Sequence, residues 1–166
     1  MIDDARRIAQ DFLDRTGEAT IRGDVDATLD YCDIPCTLES MQGRAVATNT
    51  AEMRAICVAF IDRVKLKRLT YMVRNCLEAV FKDEETIWAR YQTRYVTDGN
   101  LLTEDPYFGS VILRRKGDRW KVSAMQFAAS SDSPVNAVLS NCTPKGEASA
   151  ENKPSDGAMS TTNKAG

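Results

Sequence analysis

Apolar positions recur at the helical period in the early part of the chain and at the strand period further on. From Asp4 to Ile21 the residues Ala5, Ile8, Ala9, Phe12 and Ala19 form one stripe between charged neighbours, which predicts an amphipathic first helix. Gly17 weakens its second half by about 1 kcal/mol relative to alanine, so a bend or a close helix contact is expected there, and Gly23 ends it. Asp24 is placed to cap a short second helix, Val25 to Cys32, with Tyr31 near its end. Pro35 should stop that helix before a short alternating strand, Cys36 to Ser40, and a turn at Gln42-Gly43. The third helix is the clearest. Asn49 and Glu52 have capping-box spacing, and Met53, Ile56, Cys57, Phe60, Ile61 and Val64 make a continuous stripe.

Four strands follow, at Thr70–Phe81, Thr86–Val96, Tyr107–Arg115 and Arg119–Ala128, separated by charged or turn-forming segments. The short breaks favour antiparallel neighbours. Two of these strands would span roughly 40 Å at 3.3–3.4 Å per residue, a length at which sheets twist and bend, often at a bulge. Beyond Phe127 the chain has no aromatic residue. Val135, Val138 and Leu139 can form a docked turn, so 129–142 is expected as a docked extension of a domain spanning 1–128. Residues 143–166 bury too little apolar area to offset their ordering entropy and are expected to be disordered.

Alternation then sorts the sheet into two faces. On the second of the four strands Ile87, Ala89, Tyr91, Thr93 and Tyr95 share an uncharged side, opposite Trp88, Arg90, Gln92 and Arg94. On the strand before it, Tyr71, Val73, Asn75, Leu77, Ala79 and Phe81 are expected inward, and Met72, Arg74, Cys76 and Glu78 outward. An apolar wall carrying a few hydroxyls and an amide suits a small-molecule pocket. The candidate ligand-binding residues are Tyr31, Tyr71, Asn75, Tyr91, Thr93, Tyr95 and Ser110. The other face, with Trp88 among arginines, is a candidate homodimer interface, because tryptophan and arginine concentrate in interface centres.

Composition narrows the chemistry. The 166 residues contain no histidine, which excludes Ser-His and Cys-His catalysis and removes the commonest metal ligand. Five cysteines at irregular spacing form neither a disulfide framework nor a zinc set, so no metal or cofactor is expected. With 22 basic and 24 acidic residues the formal charge is −2, giving no field to draw nucleic acid or an anionic membrane. No apolar run is long enough to span a bilayer, and the opening Met1-Ile2-Asp3-Asp4 is acidic, unlike a secretory signal; the expectation is a cytoplasmic protein with reduced thiols.

The order of elements, with Gly23-Asp24-Val25-Asp26-Ala27-Thr28-Leu29 before the first strand and Gly117-Asp118-Arg119-Trp120-Lys121-Val122 opening the last, resembles the NTF2-like, or SnoaL-like, superfamily. That resemblance covers Asp4 to Ala128. It implies an α+β, cone-shaped (cystatin-like) fold, three N-terminal helices packed on a strongly curved antiparallel sheet. Ketosteroid isomerases of that superfamily use an aspartate base, a tyrosine and a protonated aspartate; aligned on this chain, those places hold Ser40, Thr16 and Ser110. The His-Asp arrangement of SnoaL-type cyclases is absent with histidine. The reading is therefore a protein that binds an apolar or aromatic small molecule. Two alternatives stay open: an isomerase, dehydratase or cyclase with a displaced carboxylate among Glu39, Glu78, Glu104 and Asp105, and a structural subunit resembling the small subunits of ring-hydroxylating dioxygenases.

Overall fold

A computed structural model describes residues 2–99, 101–102, 105–130 and 132–142. Three helices, α1 (Ile2–Arg22), α2 (Val25–Asp30) and α3 (Thr50–Leu66), alternate with and cover a sheet of β1 (Cys32–Ser40), β2 (Gly43–Ala47), β3 (Leu69–Asp83), β4 (Thr86–Thr97), β5 (Leu101–Leu102), β6 (Tyr107–Lys116) and β7 (Arg119–Ala128); α4 (Pro134–Cys142) closes the series. The strands lie in the order β2-β1-β7-β6-β4-β3, with β5 on β4. All described neighbours pair antiparallel except β1, which runs parallel to β7. The proposed tail, 143–166, and Glu104 lie outside the described residues.

Local chemistry places the helices as the pattern predicts. Asp24 caps α2 through the Ala27 amide, and the Asn49 side chain accepts from the Glu52 amide at 2.9 Å to start α3. The Glu52 carboxylate reaches back one residue further than a capping box requires, accepting from the Thr48 amide at 2.7 Å and hydroxyl at 2.9 Å. Those bonds hold its pKa below the usual carboxylate value. Met53, Cys57, Ile61 and Val64 are buried on one side of α3. Gly17 is a close-contact position: a Cβ there would lie 3.2 Å from the Met72 carbonyl oxygen.

β3 is a sheet edge, and α1 covers it. The Gln10 side chain donates to the Arg74 carbonyl at 2.7 Å and accepts from the Cys76 amide at 2.7 Å, taking the place of a neighbouring strand. At the other end of the sheet α4 docks through buried Val135, Val138 and Leu139, and Asn136 donates to the Ala129 and Ser130 carbonyls at 2.9 and 2.7 Å. Among the described residues no helix is long and apolar enough to cross a membrane.

Three local expectations are corrected. α2 ends at Asp30, and Pro35 sits inside β1, in the stretch between Cys32 and Thr37 where the β7 register shifts and before the β2 pairing begins at Cys36. A proline is tolerated there because no ladder bond needs its missing N–H. The segment after the turn, Gly43–Ala47, is a strand, with Ala45 and Ala47 buried. The largest correction is the parity of β3. Directly opposed residues share a face, and Met72, Arg74 and Cys76 oppose Tyr95, Thr93 and Tyr91, all of them inward. Tyr71 and Asn75 therefore face outward, and Tyr71 is 62% exposed. A bulge between Cys76 and Glu78 reverses the parity again, so that Ala79 is buried opposite Ala89.

Candidate functional site

The helices and the inner face of the sheet enclose a cavity that admits the centre of a water molecule over about 90 Å³. Its walls come from α1 (Phe12, Thr16, Thr20), from Tyr31 and Cys32 after α2, from Met53, Ile56, Cys57 and Phe60 on α3, from Arg74, Tyr91, Tyr107, Val122, Met125 and Phe127 on the sheet, and from Val135 of α4. Tyr31 is fixed by an edge-on contact with Phe12, ring centroids 5.8 Å apart. No carboxylate lies among the described lining residues.

Tyr91 is fully buried on β4, directly opposite Gly109 on β6. The missing side chain is what admits the ring: a Cβ on Gly109 would lie 2.6 Å from Tyr91 Cζ and 2.7 Å from its hydroxyl. Among the described residues that hydroxyl has no hydrogen-bond partner, and neither does the buried Thr93 hydroxyl next along the inner face. Tyr95 and Tyr107 bond each other through their hydroxyls at 2.9 Å. Burial pushes the Tyr91 and Tyr95 phenols well above their ordinary pKa, Tyr107 adds to the effect, and the nearby Arg74 charge opposes it.

Arg74 is the feature that the alternation pattern misplaces. It turns inward, half-buried; Nε and Nη2 point at the Met72 thioether, with Nε 3.0 Å from Sδ, and Nη1 donates to Thr16 Oγ1 at 3.2 Å. Thr16 is already committed as a donor to the Phe12 carbonyl at 2.8 Å. Among the described residues no carboxylate pairs with Arg74. A thioether and one hydroxyl are weak company for a guanidinium with five N–H donors.

Three thiols lie at the α2 end. The Cys32 thiol donates to the Thr28 carbonyl at 3.6 Å, and its interaction with the Cys57 thiol lowers the pKa of Cys57 and raises that of Cys32, burial adding to the rise at Cys32. Cys36 is pushed up to about 12, first by burial and then by the charges of Cys57 and Asp33. They read as small buried residues at the cavity wall; among the described residues no three His, Cys, Asp or Glu side chains converge as a metal site.

Of the residues named from sequence, Tyr31 and Tyr91 line the cavity, and Thr93 and Tyr95 are buried on the same inner face. Tyr71, Asn75 and Ser110 are not with them. Ser110 opposes Arg90 on β4 and Gln126 on β7, outside the cone, with its hydroxyl 3.3 Å from Gln126 Oε1; the inward positions of β6 are Tyr107, Gly109, Val111 and Leu113. Glu39, Glu78 and Asp105 are exposed. Arg74 escaped the alternation argument because a hairpin counted back from the Phe81–Ile87 pair without a bulge pairs Leu77, not Cys76, with Tyr91.

The outer face carries Trp88, 50% exposed, with Lys82 Nζ 3.9 Å from its ring centroid, beside Val80 and Ile112. Glu78 and Arg90 pair there at 3.7 Å.

A helix-covered sheet of this order, with a chamber between helix and sheet, is an NTF2-like, cystatin-like α+β fold. Solved structures share it: a cystatin-like-fold domain of unknown function from Nostoc punctiforme (10% identity, 76% of this chain and 78% of that one, TM-score 0.60), an NTF2-like protein from Novosphingobium aromaticivorans (15%, 82% and 89%, 0.58), and a ketosteroid isomerase-like protein from Erwinia carotovora atroseptica (14%, 77% and 99%, 0.56). At such identities the likeness is one of fold. No family model and no curated protein matches the sequence.

Proposed function

We propose that this chain binds a small, largely apolar molecule in the cavity between α1, α3 and the inner sheet, without performing acid-base catalysis on it. The observation that carries this reading is the composition of the wall: mostly aliphatic and aromatic, with a few hydroxyls and no described carboxylate to move a proton. The ketosteroid-isomerase arrangement would need carboxyl groups at Ser40 and Ser110 and a tyrosine at Thr16. Thr16 gives its hydroxyl proton to a helix carbonyl, Ser40 hydrogen-bonds within its own turn, and Ser110 lies on the outer face. The size supports a compact ligand, since an engineered apolar cavity of roughly 150 Å³ takes benzene and this one is smaller.

Native mass spectrometry of gently purified protein is the test. A small molecule that is retained on the folded chain and lost on denaturation is the expected result. A chain that carries none, and whose melting temperature moves with no compound in a fragment library, contradicts the reading.

A second reading concerns assembly and rests on the exposed Trp88, Val80 and Phe108 on the outer face. We propose a homodimer through this face, in the cytoplasm, where the free thiols stay reduced. Light scattering should give twice the chain mass, and Trp88→Glu should halve it; a monomeric wild-type chain at micromolar concentration overturns this.

A further inference from the structure

We infer that the ligand carries a carboxylate, and that Arg74 receives it with the Tyr91 hydroxyl as a second donor, so that the occupant is a short-chain aliphatic monocarboxylic acid. The inference rests on the cavity reading above and adds the ligand's charge and class.

Two independent observations fall on the wall of the same cavity. The first is a guanidinium turned into an apolar chamber with no acid facing it among the described residues. Three of its N–H groups meet a thioether and a hydroxyl, which leaves two without an acceptor among the described residues. Its position is not slack, because the Arg74 backbone is pinned to α1 through Gln10 and its strand partner Thr93 is fully buried. The second observation is the Tyr91 hydroxyl, fully buried on a residue that lines the same cavity and without a hydrogen-bond partner among the described residues. A buried donor without an acceptor is costly to keep. A carboxylate repairs both defects at once: one oxygen, or both, accepts from the guanidinium, and a remaining lone pair accepts from the phenol. Phosphate suits the site less well, since its larger charge needs more donors than one arginine and one tyrosine supply. Elsewhere on the wall Met53, Ile56, Phe60, Met125 and Phe127 are apolar and suit an alkyl tail. The small volume limits that tail to a few carbons.

The experiment compares matched probes on the full chain by calorimetry at constant ionic strength and neutral pH: butanoate, butanamide and inorganic phosphate. Variants Arg74→Gln, Arg74→Lys and Tyr91→Phe follow, each checked for folding by its melting curve. Wild type should bind butanoate at least tenfold tighter than butanamide, with phosphate weaker than either. Arg74→Gln should erase the preference, Arg74→Lys should keep part of it, and Tyr91→Phe should weaken butanoate severalfold with little effect on the amide. Should Arg74→Gln fail to fold, the acid-over-amide preference in wild type and its reduction in Tyr91→Phe still decide the matter. Equal binding of acid and amide leaves the cavity reading standing and overturns the carboxylate. A preference that survives Arg74→Gln overturns the assignment to Arg74, and tighter phosphate than butanoate overturns the ligand class. No binding of either organic probe overturns this inference, while the cavity reading is decided by the mass-spectrometric test above.

Discussion

Replacing Gly109 by alanine adds one methyl group at the point where the inner wall is tightest. The new Cβ would stand 2.6 Å from Tyr91 Cζ, about 0.8 Å inside ordinary van der Waals contact, and 3.0 Å from the Gln126 carbonyl oxygen on the adjacent strand. The carbonyl belongs to the β6–β7 ladder and cannot retreat cheaply, so the ring must move, and the open direction is the cavity. Overpacking of this kind costs about 1–3 kcal/mol. For a domain of this size that is a fall in melting temperature of about 3–9 °C. Ligand affinity should fall with it, because the displaced ring carries the Tyr91 hydroxyl. The assay is chemical denaturation of a double-mutant cycle with Tyr91→Leu, which removes the ring and with it the clash. The cost of Gly109→Ala should shrink by 1 kcal/mol or more in the Tyr91→Leu background. An equal cost in both backgrounds, or no cost in the wild-type background, refutes the placement of Tyr91 against Gly109.

The parity of β3 separates two neighbouring substitutions: Met72→Ala should cost about 2–5 kcal/mol as a core truncation, whereas Tyr71→Ser, at a residue 62% exposed, should stay within about 0.5 kcal/mol, both read from urea midpoints. Gln10→Ala should destabilise by about 1–3 kcal/mol, because it strips the Arg74 carbonyl and the Cys76 amide of their partner, and hydrogen exchange should speed up at Cys76 first. Stability should fall as pH rises above about 9. Cys36, with its folded value raised from 9.0 to about 12, keeps a proton that the unfolded chain releases, as do Tyr91 and Tyr95, so rising pH favours unfolding. Cys36 alone accounts for about 4 kcal/mol between pH 9 and 12, and Cys36→Ala should flatten the onset of the fall near pH 9.

Much of the fold was legible because its signals are local. The Asn49 cap and the Met53–Val64 stripe define α3, and Arg119–Ala128 is bounded by turn residues on one side and a change of composition on the other. Gly43–Ala47 was not legible: five residues that pair with β1 give almost no periodicity, and only the tertiary partner makes them a strand. The docked turn expected around Val135, Val138 and Leu139 is a full helix, Pro134–Cys142, supported by Asn136 bonds to the preceding carbonyls.

The candidate site was legible on β4 and obscured on β3 and β6. On β4 strict alternation of neutral and charged residues placed Tyr91, Thr93 and Tyr95 inward. β3 mixes apolar residues on both sides, and its bulge at Cys76/Glu78 switches parity midway, so the preference for apolar residues inside selected the wrong set. Ser110 failed for a related reason, since an ungapped alignment carried over a distance of many residues cannot resolve a slip of one, and one residue reverses the face. The cost of these errors fell on Arg74, the charge that the sequence places outside and the cross-strand register places within.

The most direct test of that placement is a nitrogen-15 NMR titration of the full chain with butanoate, following backbone amides and the Arg74 Nε–H. Saturable shifts should concentrate on Thr16, Arg74, Tyr91 and Tyr107, with Trp88, Ser110 and Gln126 unmoved. Shifts confined to the outer-face residues, or none at all, would contradict a ligand site inside the cone.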